Sequence, residues 1–330
     1  MCDYNIQGDS MLIFQKMLTL FILMAAGYFM RIRRWISDEN SGLLSKIVVN
    51  IANPAMIIAA GLNSASSISN QTLLTTFIIA VIFYAVLAIA ALLIVRLMRI
   101  PVTMRGTYQC MFIFGNIGFM GIPLITSVYG SEYALLQSMY NIVFLLLLYT
   151  YGVMLFEREA RAICMQQAAG TGEAVLTGGG VQWKKMINVG TIACIIAIIC
   201  FLTKLSVPDV LSDTFDMLSN LCAPLSMFSI GASLATMKPK EMVSDMRLNA
   251  FILIRLVLVP IAAVALFRCF MADTMMIRTF YVVVSVPIGS ICALMAEEYH
   301  GQKVIAARGV ALSTLVSVIS LPVVGMIFGL

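Results

Sequence analysis

Charge is what this sequence has least of. Among its 330 residues only 11% are Asp, Glu, Lys or Arg, against about a quarter in soluble globular chains. With 61% hydrophobic residues and a mean hydropathy of +0.98, that shortage excludes a water-soluble fold. Between Ile47 and Val95 there is no Asp, Glu, Lys, Arg or His at all. A single histidine, His300, excludes a His-ligand cluster and leaves no basis for a Ser/His/Asp triad, so neither enzyme chemistry nor a metal or other cofactor is expected. The eight cysteines form no C-x-x-C pair, and Cys110, Cys194, Cys200, Cys222, Cys269 and Cys292 lie in apolar runs, where a thiol is a small apolar residue. The net charge of +5 sits in short clusters between those runs and forms no continuous basic stripe, which excludes nucleic acid as a partner. Carboxylates are scarce where an antiporter of the paired-aspartate kind needs them: all sixteen acidic residues fall in loops or near the ends of apolar runs.

What is present is long apolar runs. A bilayer core about 30 Å thick needs about 20 apolar residues in helical form, because backbone groups left unpaired in lipid are costly. That ruler predicts an all-α integral membrane protein with ten spans, at roughly 11–30, 42–61, 72–95, 106–128, 133–155, 186–204, 212–236, 248–270, 275–296 and 304–328. Fifteen bases fall in one set of alternate loops and three (Lys204, Arg268, Arg278) in the other, so both termini are expected outside the cytoplasm of a cell membrane. Lys16 and Lys46 lie inside spans near their ends and are expected to snorkel. The glycine-rich stretch 156–185 reads as a cytoplasmic linker, dividing the chain into repeats at 1–155 and 186–330.

Five spans per half force the second copy to enter the membrane from the opposite side, an inverted repeat. The motif N-x3-P-x6-G occurs as Asn50, Pro54, Gly61 and again as Asn220, Pro224, Gly231, offset by 170 residues. Asn50 and Asn220 are read as partners for amides freed by the prolines. Span four carries Pro123 and span nine Pro287, each among glycines, so both helices are expected to break. Broken helices that cross deep in the bilayer offer amides to an anion and carbonyls to a cation. The candidate substrate groups are Asn116, Pro123, Asn141, Ser285, Pro287, Gly289, Ser290 and Ser313; each polar side chain among them either meets a ligand or bonds helices together. Arg255 is the one charge well inside a span. It is expected to snorkel, to pair with Glu297 or Glu298, or to hold an anion.

The runs FGNIGFMGIPL at 114–124, NPAM in span two, APLSMFSIGASL at 223–234, and VPIGS with ALMAEEY in span nine resemble the auxin efflux carrier family in its short-loop prokaryotic form. The likeness covers essentially all ten spans. It implies two inverted five-helix repeats with crossed broken helices four and nine, as in bile-acid symporters and sodium–proton antiporters. Spans one, two, six and seven would form a scaffold that dimerises, and spans three to five and eight to ten a moving transport domain in which Pro123 and Pro287 match the crossover prolines. The plant members' long central loop and N-P-N run are absent, so auxin itself is not implied as the substrate. The function expected is secondary transport of a small organic anion, with sodium or proton coupling left open. A cation-coupled carrier of the same fold and a non-transporting membrane sensor are the alternatives.

Overall fold

The computed structural model describes residues 3–37, 43–44, 46–63, 68–171, 189–205, 207–236 and 244–330. All of its regular structure among these residues is helical. In chain order the helices are α1 (Asp3–Ile32), α2 (Asn53–Asn63), α3 (Asn70–Leu97), α4 (Arg105–Ile113), α5 (Ile122–Tyr129), α6 (Tyr133–Leu147), α7 (Val153–Thr171) and α8 (Val189–Thr203). They continue as α9 (Asp209–Asn220), α10 (Cys222–Leu234), α11 (Met246–Leu253), α12 (Val259–Phe270), α13 (Thr274–Ser285), α14 (Ile291–Glu298) and α15 (Lys303–Phe328). Wide π-helical turns at Val48–Ala52, Ile117–Gly121, Leu148–Gly152 and Ile254–Leu258 precede α2, α5, α7 and α12.

Four helical stretches are long and apolar enough to cross a membrane: Asn70–Leu97, Tyr133–Gln166, Met246–Phe270 and Lys303–Phe328. Shorter apolar helices lie at Leu18–Ile32, Asn50–Leu62, Ile117–Tyr129, Ile192–Thr203 and Thr274–Ser285. α3 illustrates why such a sequence suits lipid. Ala80, Phe83, Tyr84, Leu87 and Ala91 face the interior, while Leu74, Ile78, Ile82, Ile89 and Leu93 on the opposite side are exposed. A helix that is apolar on both faces, with one left outside, has hydrocarbon as its natural solvent. Polar caps stand at helix starts. Ser69 accepts the amide of Thr72 at 3.0 Å at the start of α3, Asp245 accepts that of Arg247 at 2.9 Å before α11, and Asp273 that of Met276 at 2.9 Å before α13.

Among the described residues α1 packs extensively along α10, and α2 along α8. Glycine makes this possible. A Cβ on Gly231 would fall on the Met24 carbonyl of α1, and one on Gly61 would lie 2.5 Å from the Ala197 carbonyl of α8, so in each pair backbone meets backbone. The other helices gather around α3, α4, α6, α13 and α15, where Phe83 packs edge-on against Tyr84, Tyr140 and Phe280.

One expectation needs correction. The stretch 156–185 does not begin as a linker, because α7 runs on to Thr171; residues 172–188 lie outside those described. Helix persists there because α7 packs on α4 and buries Glu159, Ala160 and Phe156. The break expected in span four is present: the chain leaves α4 at Phe114, turns widely through Ile117–Gly121 and re-enters α5 with Pro123 in its first turn.

Candidate functional site

The two interruptions meet. α4 ends at Ile113 and the chain runs extended through Phe114 before the turn at Ile117–Gly121; α13 ends at Ser285 and the chain resumes helix at Ile291. Gly115 and Ile288 face each other as an antiparallel pair. The amide of Asn116 donates to the Pro287 carbonyl at 2.7 Å, and that of Gly289 to the Phe114 carbonyl at 3.0 Å. Each break thus supplies the hydrogen bonds the other has lost, which is how irregular backbone survives inside a membrane protein. Close approach requires the glycines: a Cβ on Gly289 would stand 3.0 Å from the Gly115 carbonyl, and one on Gly115 would stand 2.9 Å from Val286 Cγ2.

Two candidate residues, Ser313 and Arg255, bond to the backbone of this crossing. Ser313 on α15 accepts the Ile288 amide at 3.1 Å and donates to the Val310 carbonyl at 3.0 Å. The Cys292 thiol lies 3.5 Å from the Phe114 carbonyl and 3.6 Å from that of Cys110, so this cysteine is a weak donor as well as an apolar filler. Ser285 is buried at the end of α13, and its hydroxyl has no hydrogen-bond partner among the described residues. Arg255 does not snorkel. It is buried, with 1% of its surface exposed, and donates to two carbonyls of the broken helices: Nε to Phe112 and Nη1 to Val284, both at 2.7 Å. Snorkelling loses because those carbonyls already satisfy the charge in place. The side chains of Glu297 and Glu298 lie outside those described.

Beside the crossing is a cavity of about 810 Å³. Gly115, Asn116 and Gly118 from the first break line it, and Gly289, Ser290 and Ile291 from the second. Asn141, Phe144 and Tyr149 of the α6 stretch, Ser229 and Ile230 of α10, and Val310 and Thr314 of α15 complete much of the wall. Of the candidate substrate groups, Asn116, Asn141, Gly289 and Ser290 therefore face the cavity, whereas Pro123, Ser285, Pro287, Ser313 and Arg255 are not among its lining.

Sequence reasoning missed other wall residues. Asn53, one residue before Pro54, lines the cavity, and its buried Oδ1 has no hydrogen-bond partner among the described residues. Asn50 also lines it, from the exposed side of the turn at Val48–Ala52. Lys46 and Lys303 stand on the wall as well, so Lys46 is a cavity residue and not merely a snorkelling one; the side chain of Lys16 lies outside those described. Asn220 is exposed at the end of α9, away from the cavity, and Pro224 follows in the first turn of α10. The signal for Asn53 was present in the motif itself, a second amide one helical turn from Asn50.

The polarity of the backbone is uneven here. Residues 115–119 and 289–291, which face the cavity, are where the second half of each broken helix begins, the end at which helix dipoles are positive. The carbonyl ends of the first halves point to Arg255 instead. Among the described residues the side chains of Asn116 and Asn141 form only long bonds, Asn116 Oδ1 from the Phe119 amide at 3.3 Å and Asn141 Nδ2 to Cys194 Sγ at 3.8 Å. Their amides remain available for a ligand.

Comparison with known proteins gives a consistent picture. A family model described as membrane transport protein matches residues 12–324. An uncharacterized transporter of Methanocaldococcus jannaschii is 25% identical over 226 residues, covering 66% of this chain and 68% of that protein.

Proposed function

The chain belongs to the membrane transport protein family, the family of the auxin efflux carriers it resembles, and we propose that this multi-pass membrane protein is a secondary carrier for a small organic anion. The passenger is a mono- or dicarboxylate, carried by efflux-type, elevator-like alternating access. One observation supports this above the rest: the cavity is faced by the starting ends of two half-helices, by the amides of Asn53, Asn116 and Asn141, and by two lysines. Positive dipole ends and amide donors suit a carboxylate, while Phe144, Leu145 and Ile230 suit its carbon body.

The architecture we propose has ten spans in two inverted repeats. Gly61 of α2 meeting α8, and Gly231 of α10 meeting α1, are what a two-fold relation between the halves requires, because the motif glycines then play the same part in each. The helices of spans one, two, six and seven are read as the scaffold, dimerising through it, and those of spans three to five and eight to ten as the transport domain. The cavity wall takes residues from both groups, so sliding one group past the other would close it on one side and open it on the other. It reaches exposed residues at Lys46, Leu294 and Val304. By the count of basic loops that is the cytoplasmic end, with both termini outside a cell membrane. An anion leaving a cell whose interior is negative gains about 2.3 kcal/mol per charge per 100 mV, so efflux needs no other driving force.

Flux of radiolabelled mono- and dicarboxylates in proteoliposomes tests the reading. Saturable flux of at least one acid is expected; none across a broad panel, with folded protein verified, overturns it.

A further inference from the structure

The first halves of the two broken helices end against each other. α4 stops at Ile113 and α13 at Ser285, and the last carbonyls of a helix have no amide of their own to receive. Aligned peptide dipoles leave about half a negative charge at each such end. Two of these ends brought together away from water attract a cation, and Arg255 supplies one.

Its two bonds fall at matching points. Phe112 and Val284, whose carbonyls it holds at 2.7 Å, are each the last residue but one of their helix. Both helices also close with the same bond, from the Phe114 amide to Cys110 and from the Val286 amide to Val282. A guanidinium fork can span two carbonyls in this way, where an ammonium is a single point of charge. The hydrogen-bond partners of Arg255 are carbonyls, with no ion pair from it to a carboxylate among the described residues. The positive charge is therefore left to the helix ends and to the cavity beyond. Gly115 connects the two: a Cβ there would stand 3.4 Å from Nη2 of Arg255, and Gly115 itself lines the cavity.

We propose that Arg255 is a built-in cation, fixed at the carbonyl ends where a coupling sodium ion would otherwise bind, so that the crossing carries its own counter-charge and anion transport uses no sodium there. The consequence for coupling rests on the carrier reading above; the place of the charge does not.

Thermal unfolding of the purified full-length protein tests this without any substrate. In sodium, potassium and choline chloride at one ionic strength, the wild type is expected to unfold at one midpoint, and a saturable stabilisation by sodium alone overturns the proposal. Arg255→Ala is expected to unfold several degrees lower and to regain most of the loss in low-millimolar methylguanidinium but not in choline; an equal response to both overturns it. If that variant does not fold, Arg255→Lys decides: a midpoint between a collapsed protein and the wild type supports the two-carbonyl role, and one equal to the wild type refutes it. Because these measurements read no flux, failure here leaves the carrier reading standing, and a silent flux panel leaves these results standing.

Discussion

The carboxylate of Glu159 accepts both the amide and the hydroxyl of Thr107, each at 2.6 Å, and the amide of Gln302 at 3.1 Å. One acid on α7 thereby caps the first turn of α4 and fixes the start of α15. A buried carboxylate with several donors in place is held by them, and removing its acceptor capacity strands those donors. Glu159→Gln turns one oxygen into a donor facing donors. It is expected to cost about 1–3 kcal/mol of stability, read as a lower thermal midpoint; no change would show that the three elements are held together by packing alone.

The side-chain amides of Asn116 and Asn141 contribute little to the fold, because their bonds are long; the short bond from Asn116 to Pro287 is a backbone one that alanine keeps. Asn116→Ala and Asn141→Ala should therefore abolish or severely reduce carboxylate flux while leaving the thermal midpoint near that of the wild type. Loss of stability in step with loss of flux would assign these amides to the structure and remove them from the site.

The motif glycines make a paired prediction. A Cβ on Gly231 meets the α1 backbone and one on Gly61 the α8 backbone, so Gly231→Ala and Gly61→Ala should each destabilise by about 1–3 kcal/mol, as overpacking does. Similar losses in denaturation of the detergent-solubilised protein support equivalence of the two halves. A large loss at one position and none at the other argues against it.

Lys46 and Lys303 on the cavity wall should raise the local concentration of an anion. Lys46→Gln and Lys303→Gln are each expected to raise the apparent KM for a carboxylate several-fold at low salt, with the difference shrinking as salt screens the charge. A KM that responds to neither substitution would place the anion's path elsewhere.

Much of the plan was readable from local features of the chain. Apolar runs and missing charge announced the membrane helices, and glycine beside proline located the interruption at 286–290 closely. The interruption in the first half falls at the start of the run Gly115–Pro123 expected to unwind, with the chain extended at Phe114 and turning widely at Ile117–Gly121 before Pro123. Asn53 was legible as a second amide in its motif, but nothing local said which way it points.

What the sequence by itself determined is that the chain is helical and suited to lipid, since both follow from residues within one or two turns of each other. Tertiary structure alone decided what the rare charges do. Arg255 bonds to Phe112 across 143 residues and to Val284 across 29, and Glu159 reaches Thr107 across 52. A charge inside a span announces only that it must be neutralised. Which carbonyls or amides do so depends on how distant helix ends converge, and no periodicity in the chain records that convergence.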